Sequence, residues 1–169
     1  MSLSLKDQYH GAAMIKIAEY PQFKAINSFE PTPGQKSYSA FAVNDDTGVY
    51  LKYGSNPTKT FKEYSFVFNK ANFAELDALK VKYKKRVFLL LICVRAKCVC
   101  VLELEELEAK RAQRKSEKDA PEDQYQLLVA VRPNKRFAVY MNVPGVKKTA
   151  LTKTFVNRNE FPKAIFDAS

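Results

Sequence analysis

Residues 86–94 read RVFLLLICV. After the leading arginine every position is apolar. A strand with one wet face alternates apolar and polar side chains, so a short run without alternation must be covered on both faces. The run is also far short of the roughly 20 residues that a membrane-spanning helix needs. It is therefore read as a central strand in a sheet with helices on each side. KCVCVLEL, residues 97–104, follows as its neighbour after a tight turn at 95–97.

Working outward, residues 5–20 predict a helix: Leu5, Tyr9, Ala13 and Ile17 recur every four residues and form one stripe. Pro21 ends it, because the residue before a proline avoids helical geometry. KAINSF and SYSAFAV read as strands, separated by the loop EPTPGQ. NDDTG turns the chain, with Gly48 supplying a positive φ, and VYLKY returns as the paired strand. EYSFVF is a further strand, and Asn69 or Asn72 caps a second helix carrying Phe73, Leu76 and Tyr83. EELEAKRAQRKSEKD is a third, polar helix with i,i+4 pairs such as Glu106 with Lys110. The charged stretch near 104–123 is expected as a mobile excursion. YQLLVAV and RFAVYMNV form a hairpin around RPNK, and ALTKTFV in the tail is strand-like. The expectation is one α/β (α+β) domain over 1–169, with a mixed central sheet flanked by helices: an α-β-β-β-α-β core plus a C-terminal hairpin.

The chain carries a formal charge of +10. The excess falls in two blocks. One is Lys80, Lys82, Lys84, Lys85 and Arg86. The other runs through Arg132, Lys135, Arg136, Lys147, Lys148, Lys153 and Arg158. Gathered on one face they would make a footprint for a polyanion, DNA or RNA; dispersed, they serve solubility. An acidic protein is the competing partner. The N-terminus lacks a charged segment followed by a hydrophobic one, so no signal peptide is expected and the cytoplasm is the default location. No membrane partner is expected. Oligomeric state is left open.

Cys93, Cys98 and Cys100 lie in or beside apolar runs and are read as buried core thiols. No second ligand pair accompanies them, which argues against a structural zinc site. His10 is the only histidine, so a Ser-His-Asp arrangement would rest on it alone. Glycines are few and not spaced as a phosphate-binding loop requires. Tyr9, Tyr38, Tyr50, Tyr53 and Tyr64 lie close to basic residues; such rings either stack on single-stranded bases or straddle core and solvent.

The remaining constellation is NDDTGVYLK, residues 44–52. Metal-dependent phosphodiesterases need carboxylates for a divalent ion and a cation beside the attacking water. Tyr50 and Lys52, two apart on a strand, share a face. Here YHGA, VNDDTGVYLKYGSNP, YSFVFNKANFAEL, KRVFLLLICV and NEFP together resemble a set of uncharacterised bacterial proteins, and the element order is similar to the PD-(D/E)XK, or restriction-endonuclease-like, fold. The resemblance implies Lys52 as the catalytic lysine, with Asp45 or Asp46 as the first acid and Mg or Mn as the cofactor of an active enzyme. Tyr50 stands where the family has its second acid, so the motif is degenerate. Glu63 or Glu19 would have to migrate into that role. Three functions are carried forward: a nuclease-like fold that binds nucleic acid without cutting it, a protein-interaction module, and an active metal-dependent nuclease.

Overall fold

In the computed structural model, which describes residues 1–167, β5 (Val87–Cys93) is buried at every position. It lies between β3 (Thr47–Gly54), to which it is parallel, and β6 (Cys98–Glu103), to which it is antiparallel. With β1 (Ile26–Ser28) and β2 (Ala40–Val43) they form a five-stranded mixed sheet ordered β1-β2-β3-β5-β6. Alternation sorts its side chains into two layers. Val49, Leu51, Leu90, Ile92 and Val101 face Ala13 and Ile17 of α1 (Leu5–Ala18) and Ile165 of α4 (Lys163–Phe166). Tyr50, Leu89, Leu91, Cys93 and Leu102 join the larger cluster on the other face.

That second face is covered by α2 (Lys70–Tyr83), α3 (Leu104–Lys118) and a second sheet. β4 (Glu63–Asn69), β7 (Gln124–Ala130), β8 (Phe137–Tyr140) and β9 (Thr154–Val156) form a fully antiparallel sheet in the order β4-β7-β8-β9. The fold is α+β, as expected, but with two sheets. β4 explains why: Tyr64, Phe66 and Phe68 are buried while Ser65 and Val67 are exposed. Its antiparallel partner β7 alternates likewise over Gln124–Leu127 and is then buried on both faces through Ala130.

Helix starts follow capping chemistry. Ser4 and Asp7 form a reciprocal box at α1, and Asn69 with Asn72 does the same at α2. The buried stripe of α1 is His10, Ala13 and Ile17; Leu5 is exposed. The stretch expected as an excursion is docked. Leu104 and Leu107 enter the core, Lys110 Nζ donates to Thr152 O (3.0 Å) and Thr154 Oγ1 (2.8 Å), and the Arg111 guanidinium lies 3.8 Å over the Phe73 ring. Side chains written as a solvated charge run thus cap a core edge with their apolar stems.

The turn before β3 also differs from the expectation. Asn44 and Asp45 hold the positive φ values, 52° and 59°, the pattern of a type I′ turn. Gly48 sits within the strand, where an added Cβ would lie 2.9 Å from Tyr83 Cδ2 and 3.0 Å from Leu79 Cδ2. Its need is close packing against α2.

Candidate functional site

Lys52 lies near the C-terminal end of β3, on the face turned toward the second sheet. Its Nζ donates to the Val67 carbonyl of β4 and sits 4.9 Å over the Phe68 ring. Burial is the main reason its pKa is pushed down, and the Lys6 charge adds to it; Glu75 pulls the other way. A concavity of about 230 Å³ opens beside it, lined in part by Lys6, His10, Tyr50 and Asn72.

Tyr50 ties this cleft to α2. Its hydroxyl accepts from Asn72 Nδ2 at 3.0 Å and donates to Glu75 Oε1 at 3.3 Å. The Ser37 hydroxyl donates to the second Glu75 oxygen, and accepts from the amides of Ser39 (3.1 Å) and Ala40 (3.0 Å). Burial first, and the Glu75 charge second, push the Tyr50 pKa up, so the phenol stays protonated. His10 is buried and its pKa is lowered to about 4, by burial first and by the Lys6 charge second. The imidazole is therefore neutral at pH 7.

Asp45 and Asp46 do not reach this cleft. They occupy the opposite end of β3, about 20 Å from Lys52 at ~3.3 Å per residue. Asp45 accepts from Asn27 Nδ2 at 3.4 Å, and Asp46 accepts from the Thr47 hydroxyl at 2.8 Å. Glu19 pairs with Lys16 on α1, and Glu63 opens β4, where the charges of Arg132 and Lys153 act on it. The carboxylate that does meet Tyr50 is Glu75, which the sequence reading missed. Its signal was faint: Asn72 and Glu75 are three apart, so they share a face on the first turns of α2.

A magnesium or manganese ion needs several oxygen ligands with net negative charge. The cleft is lined by two lysines and, among the described residues, by no carboxylate; Glu75 lines the adjoining concavity beyond Tyr50 and Asn72, with both its oxygens engaged by hydroxyls. Among the described residues no three Asp, Glu, His or Cys side chains converge in a way that could hold a metal ion. The donor set does not fit such an ion.

The two basic blocks separate. Lys80 pairs with Glu108 at 2.8 Å, and Lys82 lies over the rings of Phe29 (5.9 Å) and Tyr83 (5.4 Å). Arg86 is structural: it donates to Thr47 Oγ1 (3.0 Å) and to the carbonyls of Asp167 (3.0 Å) and Ile165 (2.9 Å). Lys84 and Lys85 are exposed at the end of α2.

The second block converges. Arg132, Lys135, Arg136 and Lys153 line one concavity of about 270 Å³ with Tyr140 and Phe155. The Arg136 guanidinium lies 5.0 Å over the Phe155 ring, and Lys153 Nζ 5.2 Å over the Tyr140 ring. Phe155 is 52% exposed, unusual for a phenylalanine on a sheet. Lys147 and Lys148 follow on an exposed loop, with Lys148 5.4 Å over the Phe61 ring. Comparison with protein-family models, curated proteins and solved structures finds no match to the chain.

Proposed function

We propose that the protein binds single-stranded nucleic acid through the β8–β9 face of the second sheet, on a nuclease-like scaffold whose metal site is degenerate. One observation carries this reading: four cationic side chains line a single concavity with the exposed Phe155 ring, and one of them, Arg136, lies over that ring. Positively charged grooves with aromatic platforms hold single strands by phosphate contact and base stacking. The Lys52 cleft supports the non-cleaving half of the proposal, since Tyr50 and Ser37 occupy Glu75 with hydrogen bonds in place of a second acid.

Fluorescence anisotropy with labelled single strands tests it. Four phosphate contacts give a slope of log affinity against log salt near −3, at ~−0.7 per contact for single strands. Phe155→Ala removes the stacking platform and costs roughly 1–3 kcal/mol of binding. If no oligonucleotide is retained at low salt, or Phe155→Ala binds like the parent chain, the reading fails. Recovery of an acidic protein partner at the same face would then favour the interaction module.

A further inference from the structure

Cys93 and Cys98 are cross-strand partners in β5 and β6, closing the turn of residues 94–97. Directly opposed antiparallel residues have Cα atoms about 4.5–5.5 Å apart, inside the roughly 4.4–6.8 Å span of disulfides. Opposed residues point to the same side of a sheet, so the two thiols face each other. Cys93 is buried, whereas Cys98 is half-exposed. The sequence reading placed all three thiols in the core; Cys98 departs from it.

An arginine completes the cluster. Arg158 Nη2 lies 3.9 Å from the Cys98 sulfur. The guanidinium is held there by the carbonyls of Arg132 (3.3 Å) and Lys135 (3.5 Å), which accept from Nη1, and by the Phe137 ring 4.8 Å below. A fixed cation beside a solvent-reached sulfur favours thiolate. The neighbouring Cys93 thiol first, and the Arg158 charge after it, lower the Cys98 pKa to about 7 against opposing burial; Cys93, whose thiol donates to the Leu91 carbonyl at 3.8 Å, is pushed up. Neither residue belongs to the Lys52 cleft or to the basic concavity.

We infer that Cys93, Cys98 and Arg158 form a peroxide-reactive dithiol site, with Cys98 as the attacking thiolate and Cys93 as the resolving thiol. The inference does not depend on nucleic-acid binding. The Cys98 sulfur attacks one peroxide oxygen: an S–O bond forms, the O–O bond breaks, and the departing hydroxide takes up the proton that Cys98 had released. The Cys93 sulfur then attacks Cys98: the S–S bond forms, the S–O bond breaks, and hydroxide leaves with the Cys93 proton as water. Two thiols are oxidised to a disulfide and one peroxide is reduced to two waters. Cys100, buried on the same face opposite Leu91, takes no part.

The test is mass spectrometry of the reduced chain after dilute hydrogen peroxide. The expected product has lost two hydrogens, and trypsin, which cuts after Arg95 and Lys97, releases two peptides joined by the bridge. Cys100→Ser should bridge as the parent does, and peptide fragmentation between residues 98 and 100 locates the bridge without that variant. Cys93→Ser should stop at a sulfenic acid trapped by a cyclic dione. Arg158→Met should slow Cys98 alkylation at neutral pH by at least ~2-fold, because the thiolate fraction falls. Oxygen gain without bridging in the parent chain, a bridge to Cys100, or an unchanged alkylation rate in Arg158→Met would overturn the assignment.

Discussion

Asn44 does two things that a turn residue is not usually asked to do together. It takes a positive φ, and its side chain accepts from the amides of Lys24 (2.7 Å) and Ala25 (3.2 Å) while donating to the Gln22 carbonyl (2.9 Å). The stretch NDDTG therefore anchors the connection after α1, and its carboxylates serve the turn. Gly48 shows the same economy of space. Gly48→Ala should destabilise the fold by about 1–3 kcal/mol, since the new methyl drives into Tyr83 and Leu79 and both are packed. A denaturation midpoint equal to the parent's would refute that packing. His10 sets a pH dependence. Its folded pKa, about 4, lies below the unfolded value near 6.5, so the unfolded chain binds the extra proton between those values. Stability is full above pH ~6.5 and declines as pH falls toward 4, by on the order of 3 kcal/mol. His10→Gln should flatten this limb of a stability–pH profile; an unaltered slope would remove His10 as its source. Of the cleft, Lys52 and Tyr50 were legible in sequence because strand periodicity alone puts them on one face. Glu75 was not, because it reaches Tyr50 across the packing of α2 on β3, a tertiary relation that no local spacing encodes.

Elements divide by whether their burial is decided locally. β5 was readable because an unbroken apolar run has one interpretation, whereas β4 alternates clearly yet gives no sign of which sheet it joins. Its partner β7 lies far along the chain, and register there is fixed by matching wet and dry faces. α3 was the least legible. Its charged composition reads as a solvated helix, but Lys110, Arg111 and Arg114 are recruited by residues of β9, α2 and the loop before β7. Arg114 holds Glu122 through two guanidinium nitrogens, and that bond leads the fall of the Glu122 pKa to about 2. Both side chains are largely covered, at 20% and 12% exposure. Arg114→Ala should cost about 2–3 kcal/mol, a fall of roughly 5–10 °C in Tm, by leaving a largely covered carboxylate with Lys118, at 3.1 Å, as its one remaining cationic partner. Glu122 contributes stability that is present above pH ~4.5 and lost as pH falls toward 2; Lys118 keeps part of it, so an acid scan of Arg114→Ala should show this lower limb reduced, and an unchanged limb would refute the assignment.

Across the whole molecule the positive charge is unevenly employed. The block at the end of α2 is partly consumed by ion pairing, ring contacts and the fastening of residues 165 and 167, while the block on the second sheet stands around a common hollow. Charge-reversal at Lys135 and Arg136 should therefore weaken oligonucleotide binding more than the same change at Lys84 and Lys85, by tenfold or more at ~1.4 kcal/mol per decade. Equal losses at both places would indicate diffuse attraction without a site. The route of the chain has a separate consequence. Between β3 and its parallel partner β5 the backbone departs to lay down β4, which then waits for β7 before its ladder is complete. The two sheets are interleaved along the chain, so neither half contains a finished one. Many of the chain's pairings join residues distant in sequence, which favours slower refolding than in a helical bundle. The half-built molecule must expose the unpaired edge of β4 during that interval, a period in which crowding by other copies would be costly.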